Sequence, residues 1–382
     1  MPPLDNIIYI YIDNKGESLY IRFMNKIQHL PESSRFFIKN KSVLRKKIIN
    51  KIEESFKKWS FFSIESPVID YYDNYYDILT PQQKRDSYKF TDRNGDLIVL
   101  RNDLTLFTAR LVATRSIMEE SVYKYYYSDY ILKGQAGADS HELYQIGCEI
   151  VGDNFSFEEV ELLIIAFETI KELKIKEYSF HIGDITILEY FKNKFNLDDD
   201  TFTRIRNYFK NKDREGLVNL LNITASTEVL SKDLIILFDF CGTYDELKSL
   251  LISQETRNIL SGFFNLADNL NKLGYSDSLI YDFCELPSHD YYSGIYFNLY
   301  CSGIQVPLLT GGRYDKLFGK FGRDKSAVGF TFWLDPLEII IDLSSLVSDL
   351  NSNEICQIND ISDFTEIIDK VRKGGIVDVR YK

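Results

Sequence analysis

One stretch near the C-terminal end, residues 290–337, constrains the fold more than any other part of the chain. Side-chain character alternates over residues 291–300, and two short apolar runs follow at 305–310 and 327–334. Alternation and short apolar runs bounded by glycines predict β-strands. The segment 311–314, Gly-Gly-Arg-Tyr, is predicted to open a helix between the second and third strands. Glycines beside strands mark bulges or close backbone approach, so we predict a glycine-punctuated antiparallel sheet.

Composition and charge limit the classes of function. A chain of 382 residues is long enough for one large domain with an insertion, or for two domains. Its net charge of -12 argues against a broad nucleic-acid-binding surface, and we predict no nucleic-acid partner. The five cysteines form no CxxC pair, which predicts reduced thiols and no zinc site. Signal-peptide and membrane-length apolar patterns are absent from the sequence, so we expect a cytoplasmic protein with no membrane contact.

Three motifs in the central stretch carry a family resemblance. DYYSG at 290–294, GGRYD at 311–315 and AVGF at 327–330 occur in order, and LDPL at 334–337 follows them. This series of motifs resembles the catalytic sheet of histidyl-tRNA synthetase. It resembles equally that enzyme's non-catalytic relative, the regulatory subunit of ATP phosphoribosyltransferase. The resemblance implies an α+β class II aminoacyl-tRNA synthetase-like fold, with an antiparallel sheet flanked by helices.

The resemblance also divides the chain into segments. Residues 1–28 form an N-terminal extension, predicted to be two short strands, and the synthetase-like domain is expected over 29–340. Residues from about 184 to 281 are helical in pattern and read as an insertion, which both relatives have. Residues 341–382 are expected to form a small C-terminal module with a helix at 363–372 and a short strand at 376–380.

Three local patterns predict a turn and two helix starts. Asn94-Gly95, between the strand-like runs 88–90 and 97–100, predicts a hairpin. Ser156, in a capping box with Glu159, is the expected start of a helix that runs to about residue 173. Asp335 and Pro336 are expected to be the N-cap and the first residue of a helix.

An amphipathic helix is predicted after residue 42. Leu44, Ile48, Ile52 and Phe56 recur on one face, and Ser42 is the expected N-cap. In class II synthetase-like proteins this helix and the following strand form the dimer interface. The resemblance therefore implies self-association through residues 42–67, although a helix packed on its own sheet accounts equally for the pattern.

The strand predicted over residues 142–149 carries two candidate ligand-binding side chains. Alternation places Gln145 and Glu149 on one face, with Gly147 between them leaving room for a ligand, while Ile146 and Cys148 lie on the other face. By resemblance, Gln145 contacts the amino group of bound histidine and Glu149 contacts its imidazole. Two solvated residues on an outer face remain the alternative.

The resemblance adds five further candidates to this histidine site. Asp103 stands where the synthetase has a glutamate for the α-ammonium group, and Thr105 accompanies it; a helix N-terminal acid is the alternative for Asp103. Tyr291 and Tyr292 belong to the DYYSG motif. Arg313 is a candidate for the ligand carboxylate, or else an arginine that ties down the sheet.

Cations expected of an adenylating enzyme are missing from the matching motifs. Residues 126–145 contain no arginine and Lys133 is their one cation, while Pro287 and Pro336 stand where the synthetase has arginines. Adenylation needs positive charge on ATP and on the developing phosphorane. By resemblance, the chain is therefore predicted to be non-catalytic, without catalytic residues, metal or cofactor.

The function implied by resemblance is that of the regulatory subunit. That family joins a short catalytic subunit of ATP phosphoribosyltransferase, enables its activity and lets histidine inhibit the first step of histidine synthesis. Two alternatives stay open: histidyl-tRNA synthetase or another adenylating ligase, and a synthetase-like histidine-binding protein with a different partner. His289 is interpreted as structural, since no nucleophile adjoins it.

Overall fold

The structure is a computed structural model, and it describes residues 7–12, 18–24, 34–115, 122–134, 140–153, 157–224, 229–287, 289, 291–341, 354–358 and 377–381. The strands are β1 (Ile7–Ile12), β2 (Ser18–Met24), β3 (Phe62–Ser63), β4 (Ile69–Tyr71), β5 (Lys89–Thr91), β6 (Leu97–Leu100), β7 (Val122–Leu132), β8 (Glu142–Gly152), β9 (Tyr178–Asp184), β10 (Cys241–Gly242), β11 (Leu279–Asp282), β12 (Ile295–Cys301), β13 (Leu309–Arg313), β14 (Ser326–Trp333), β15 (Glu354–Ile358) and β16 (Val377–Tyr381). Within these ranges, no helix is both long enough and apolar enough to cross a bilayer.

The helices alternate with these strands along the chain. They are α1 (Lys39–Lys58), α2 (Pro81–Asp86), α3 (Leu104–Arg115), α4 (Glu158–Glu172), α5 (Thr186–Lys194), α6 (Asp199–Asn211), α7 (Arg214–Thr224), α8 (Val229–Asp239), α9 (Tyr244–Lys248), α10 (Gln254–Ile259), α11 (Ser261–Lys272), α12 (Asp315–Lys320) and α13 (Leu334–Ile340). Seven of them, α5 to α11, lie between β9 and β11, where the sequence predicts the helical insertion. The exact domain boundaries stay a prediction.

A nine-stranded mixed sheet organises the molecule, in the order β10-β11-β9-β12-β13-β14-β8-β7-β3. The six strands from β9 to β7 in this order pair antiparallel, and the parallel pairs β11–β9 and β3–β7 flank them. This architecture confirms the α+β fold predicted from the sequence.

Each face of the sheet supports its own core. On one face, Ile146 and Cys148 of β8 pack in the main hydrophobic cluster with the predicted row of α1, represented by Ile48 and Phe56. On the other face, β8 contributes Val151 to a second cluster, which contains several tyrosines and side chains of α3. The alternation predicted for β8 is therefore confirmed, and the candidate residues of β8 lie on the second face.

Two local predictions are confirmed and one helix start is wrong. β5 and β6 pair antiparallel as predicted, and Gly95 in their turn has a φ of 91°, which suits glycine. β1 and β2 are the two short strands predicted near the N-terminus, and they pair antiparallel. Ser42 does not cap α1, because the helix begins three residues earlier at Lys39. The N-terminal turn of this helix lacks the side-chain cap that the sequence pattern suggested.

The second predicted strand of the central stretch was placed too early. β13 runs Leu309–Arg313, so the two glycines of GGRYD lie inside the strand and the helix α12 starts only at Asp315. The reason is close approach on both sides: a Cβ on Gly311 would come within 2.7 Å of the Gly329 carbonyl oxygen, and one on Gly312 within 2.3 Å of the Ile295 carbonyl oxygen. These glycines allow pairing with neighbouring strands rather than a helix start.

The side chain of Asp335 has a structural role that the sequence did not predict. Asp335 was expected to be the N-cap of the last helix of the domain, but α13 begins at Leu334. The Asp335 carboxylate instead accepts hydrogen bonds from Arg35 at 2.7 Å and from Arg45 of α1 at 3.0 Å. It therefore ties α13 to α1. The predicted capping of α4 by Ser156 and the predicted helix at 363–372 lie outside the described residues.

Candidate functional site

Glu149 is the centre of a buried polar cluster on the second face of the sheet. Its side chain is 2% exposed, and Tyr127 donates a hydrogen bond to Oε1 at 2.9 Å while Tyr314 donates to Oε2. Burial raises the pKa of Glu149 to about 8, against the opposing effect of both phenol donors. A carboxyl group with this pKa is largely protonated at neutral pH, so it is able to donate as well as accept.

Two glycines create the space that this cluster fills. A Cβ on Gly329 would lie 1.5 Å from Oε2 of Glu149, so β14 needs glycine opposite the carboxylate. A Cβ on Gly147 would lie 2.4 Å from the Thr331 hydroxyl and 2.5 Å from the Tyr127 hydroxyl. The sequence predicted that Gly147 leaves room for a ligand. Whether a ligand enters here stays a prediction; in this structure the two hydroxyl groups lie beside Gly147, where a side chain would otherwise stand.

The Tyr127 hydroxyl links three strands and a helix. It lies 2.8 Å from the hydroxyl of Thr105 in α3 and 2.8 Å from that of Thr331 in β14. Burial raises the pKa of Tyr127 well above its ordinary value, so the phenol stays neutral. Thr105, proposed from the sequence as a ligand contact, is therefore part of the same network as Glu149.

Asp103 and Gln145 both serve the N-terminus of α3. Asp103 accepts a hydrogen bond from the backbone N–H of Leu106 at 3.0 Å, and Gln145 accepts one from the N–H of Leu104 at 2.8 Å. Each satisfies a helix donor that has no partner within the helix. One oxygen of Asp103 therefore performs the role of a helix N-terminal acid, which was the alternative weighed from the sequence. Its other oxygen lies 3.9 Å from Nε2 of His289.

An aromatic wall closes the cluster. The ring of His289 stacks on that of Tyr291, with centroids 5.1 Å apart and planes 2° from parallel, and Tyr291 meets Tyr314 edge-on at 5.9 Å. Tyr292 packs against Tyr291, and burial raises the pKa of both phenols well above the ordinary value. The amide nitrogen of Gln83 lies 2.8 Å from Nδ1 of His289.

Arg313 is not brought to this cluster. Its guanidinium binds the carboxylates of Glu159 at 2.6 Å and Asp315 at 3.0 Å, and it also binds Glu158. Glu158 and Glu159 lie at the start of α4, so Arg313 holds the end of β13 to that helix. Of the two roles weighed from the sequence, the geometry matches the one that ties down the sheet.

A large open cleft adjoins the cluster. Its volume is about 830 Å³, and Tyr292, His289 and Trp333 form the part of its wall nearest the cluster. Leu286 and Pro336 also line it. Polar groups on its lining form pairs: Asn298 donates to Glu285 at 2.6 Å, and Lys212 donates to Asp282 at 3.0 Å. Burial raises the pKa of Glu285.

Lys133, the one cation that the sequence placed in its motif, lies beside this cleft. Its ammonium group is 5.6 Å from the centre of the Trp333 ring. Burial lowers the pKa of Lys133, against the effect of the carboxylates of Asp103 and Asp86.

The groups of this cluster suit the recognition of a ligand by hydrogen bonds. The cluster and its aromatic wall combine two carboxyl groups, six phenols or hydroxyls and an amide, which can exchange hydrogen bonds with an ammonium group or an imidazole. The part of the chain that the structure describes contains no group of three or more His, Cys, Asp or Glu side chains arranged to hold a metal ion.

Sequence reasoning missed three members of the cluster: Tyr127, Tyr314 and Thr331. Tyr314 stands inside the quoted GGRYD motif, so its position was already marked. Tyr127 is one of three consecutive tyrosines in β7, and strand alternation places it on the face of Gly147, its cross-strand partner in β8. That register was the missing signal, because no local pattern specifies it.

The fold and this cluster define a class II synthetase-like domain. The sequence model of the histidyl-tRNA synthetase family matches residues 35–337, and the chain belongs to that family.

Curated relatives are named ATP phosphoribosyltransferase regulatory subunits. The protein from Acetivibrio thermocellus is 25% identical over 323 residues, which cover 82% of this chain and 76% of the relative. The protein from Clostridium novyi is 26% identical over 368 residues, covering 93% and 87%. This chain is similar to both along most of its length, as the motifs predicted.

Solved structures show the same fold. An ATP phosphoribosyltransferase regulatory subunit/histidyl-tRNA synthetase from Bacillus halodurans superposes with a TM-score of 0.80 at 23% identity, covering 93% of each chain. The histidyl-tRNA synthetase from Nostoc sp. superposes with a TM-score of 0.74 at 17% identity, covering 93% of this chain and 86% of that one. At these identities the likeness concerns the fold alone.

Proposed function

We propose that this chain is the non-catalytic regulatory subunit of an ATP phosphoribosyltransferase. In this role it joins a short catalytic subunit, enables its activity and makes the first step of histidine biosynthesis sensitive to histidine. The observation that carries the proposal is the similarity over most of the chain to relatives with that name. Their names specify a regulatory role, and the short catalytic partner and the feedback inhibition are the finer parts of our proposal.

Histidine is the proposed effector, and the cluster around Glu149 is its proposed site. The groups that suit an ammonium and an imidazole are Asp103, Thr105, Gln145 and Glu149, together with the paired tyrosines Tyr291 and Tyr292. Arg313 stays outside the proposed contacts because three carboxylates hold it. Histidine inhibits if it binds the inactive complex more tightly than the active one.

The absence of adenylation is part of the proposal. The resemblance places arginines of the synthetase at Pro287 and Pro336, and neither proline can neutralise phosphate. We therefore propose that the chain binds histidine without activating it.

Self-association through residues 42–67 is the other proposed contact. β3 lies at the edge of the nine-stranded sheet, where its backbone is open to pairing. Phe62 in this strand is 71% exposed, and Val68 and Ile69 just beyond it are also exposed. An apolar edge of this kind favours pairing with a second copy, as the family resemblance implies.

The proposal is tested by reconstitution. A short catalytic subunit from the same organism is assayed for phosphoribosyltransferase activity with and without this chain, and then with added histidine. We expect activation by the chain and inhibition by histidine. Failure of the two proteins to co-elute, with no activation, would refute the regulatory role. ATP–pyrophosphate exchange that depends on histidine would establish an adenylating enzyme instead.

The location of the sensor is tested in the same assay with Glu149→Ala. We expect this variant to lose inhibition at histidine concentrations that inhibit the complex with the unmodified chain. Glu215→Ala is the matched control, since Glu215 is exposed in the insertion, far from the cluster in sequence, and this variant should keep both effects. Unchanged inhibition in Glu149→Ala would place the effector elsewhere. Thermal unfolding of both variants shows whether the fold is kept.

A further inference from the structure

Lys133 follows β7 and brings an ammonium group to the end of the cluster at which Asp103 lies. It forms an antiparallel β-bridge with Ser87, and the backbone N–H of Leu132 just before it donates to the carbonyl oxygen of Arg101 at 2.9 Å. Burial lowers the pKa of Lys133 while the carboxylate of Asp103 acts in the opposite direction, so the two side chains are close enough to interact. The backbone contacts therefore fix the lysine beside the segment that leads into α3.

The side chain of Lys133 lacks a counter-ion in contact with it in the part of the chain that the structure describes. There it donates no hydrogen bond and forms no ion pair, and its ammonium group faces the ring of Trp333, 5.6 Å from the ring centre. A cation–π contact offsets the loss of water only in part, and a buried charge without a hydrogen-bonded partner is unfavourable. Lys133 is therefore able to receive an anionic group.

An acceptor near Asp103 also lacks a partner. Asn102 is 3% exposed, and its Oδ1 atom accepts no hydrogen bond from the described residues, although its amide nitrogen donates to Ser87 at 2.6 Å. Ser87 is the bridge partner of Lys133, so an unused acceptor and an unused donor lie on neighbouring segments. Buried polar groups in folded proteins nearly always have partners. The two groups together favour a ligand that carries both a cationic and an anionic group.

Two arginines that could serve the same anion are held by other groups. Arg101 binds the Asp129 carboxylate at 2.6 Å and donates to the Tyr130 carbonyl oxygen at 2.7 Å. Arg313, weighed from the sequence for the ligand carboxylate, is held by three carboxylates. A ligand would have to break these contacts to reach either guanidinium, whereas Lys133 has no such contact to break.

The arrangement of charges matches an α-amino acid. An amino acid carries its ammonium and carboxylate groups on the same carbon atom, so a ligand whose ammonium group binds Asp103 has its carboxylate at the same end of the cluster. Lys133 lies at this end, and Trp333 beside it pairs in register with Gln145, the other candidate for the ammonium group. The side chain of the ligand is then left for Glu149.

We propose that Lys133 binds the carboxylate of the amino-acid effector, and that this contact makes the site prefer an α-amino acid over the corresponding amino alcohol. The bond is charge-assisted, from an ammonium N–H to a carboxylate oxygen. This inference rests on the proposed histidine site around Glu149, and it assigns to Lys133 the role that the sequence suggested for Arg313.

Isothermal titration of the full chain with L-histidine and with L-histidinol tests this role, because histidinol has a hydroxymethyl group in place of the carboxylate. The unmodified chain should bind histidine about tenfold or more tightly than histidinol, since a hydrogen bond between charged groups is lost with the carboxylate. Lys133→Met removes the charge and keeps a long apolar side chain beside Trp333. It should weaken histidine binding by about tenfold or more and change histidinol binding by about twofold or less.

The controls are Lys133→Arg and Lys272→Met. Arginine keeps the positive charge, so Lys133→Arg should still bind histidine more tightly than histidinol. Lys272 is exposed in the last turn of α11, and Lys272→Met should bind both ligands as the unmodified chain does. Thermal unfolding shows whether each variant keeps its fold. If Lys133→Met does not fold, Lys133→Gln, which keeps a donor without the charge, decides the outcome with the same two ligands.

The contradicting outcomes separate this inference from the proposed function. A preference for histidine that Lys133→Met leaves unchanged would overturn the role of Lys133 and leave the proposed effector site standing, as would equal binding of both ligands by the unmodified chain. No binding of either ligand would overturn the effector site as well. Loss of both ligands in Glu149→Ala, with loss of the preference in Lys133→Met, supports both. The titration needs no catalytic subunit, so the reconstitution assay remains a separate test of the regulatory role.

Discussion

The buried cluster and the open cleft occupy the same face of the same sheet. Tyr296 of β12, Gly312 of β13, Gly329 of β14 and Glu149 of β8 form one cross-strand row, so the cleft and the cluster are neighbours along it. At the Glu149 end, the polar groups bond to one another and water has little access. At the Tyr296 end, the row borders a cavity of about 830 Å³.

This difference shows how one face of a sheet can hold both a buried network that stabilises the fold and an open cleft that can accept a ligand. Glycines at the cluster allow neighbouring strands to bring hydroxyl and carboxyl groups into contact, and a fully connected buried network is rigid. In the cleft, paired polar groups still face open space. A ligand that enters the cluster must exchange hydrogen bonds with the protein, whereas a ligand in the cleft only displaces water.

The largest expected effect is a difference in stability that comes from the tighter packing of the cluster compared with the cleft. Gly329→Ala should destabilise the protein by about 3 kcal/mol, because the new Cβ would overlap the buried Glu149 carboxylate. Val306→Ala at the rim of the cleft is the comparison, since Val306 is half exposed and should change stability by about 0.5 kcal/mol or less. Urea unfolding measures both variants. Similar values for the two would mean that the cluster is as loosely packed as the cleft.

A smaller effect is a difference in the stability that a tyrosine hydrogen bond contributes in the cluster and in the cleft. Tyr314→Phe should lower the free energy of unfolding by about 2 kcal/mol, because it leaves Oε2 of Glu149 buried without its donor. Tyr300→Phe removes a phenol that lies 3.3 Å from Glu285 in the cleft, where water can replace it, and should cost less than about 1 kcal/mol. The same unfolding measurement applies. A cost for Tyr300→Phe equal to that for Tyr314→Phe would contradict the distinction.

The smallest effect, when it is expressed per pH unit, is a difference in pH dependence. Glu149 keeps its proton up to a pKa of about 8 in the folded chain, whereas the ordinary value is 4.5. The folded state therefore binds more protons than the unfolded state between these values, and stability should fall as pH rises from 4.5 to 8. The slope from one such proton is at most about 1.4 kcal/mol per pH unit.

Glu149→Gln should remove that contribution, because an amide resembles the protonated carboxyl and does not ionise. Glu285→Gln in the cleft serves as the comparison: burial raises the pKa of Glu285 as well, so the sign of its contribution is the same. Unfolding free energies at pH 5.5 and pH 8 measure each slope. A slope between these pH values that Glu149→Gln leaves unchanged would show that Glu149 is ionised in the folded protein.

Local sequence patterns determined much of this protein. The alternation in β8, the apolar row of α1 and the Asn-Gly turn at Gly95 depend on neighbouring residues and on backbone geometry, so the sequence predicted them correctly. The resemblance carried by the three motifs in the central stretch determined the class II fold and most of the candidate residues.

Only the tertiary structure decided how those residues are used. Glu149 meets Tyr314, a residue 165 positions away, and Arg313 meets carboxylates of α4 instead of a ligand. The position of Lys133 beside Trp333 likewise depends on how β7, β8 and β14 pair. Such contacts are set by strand register and by burial of apolar faces, which act between segments far apart in the chain. Residue types and spacing specify what a side chain can bond to, and packing decides which of the possible partners it reaches.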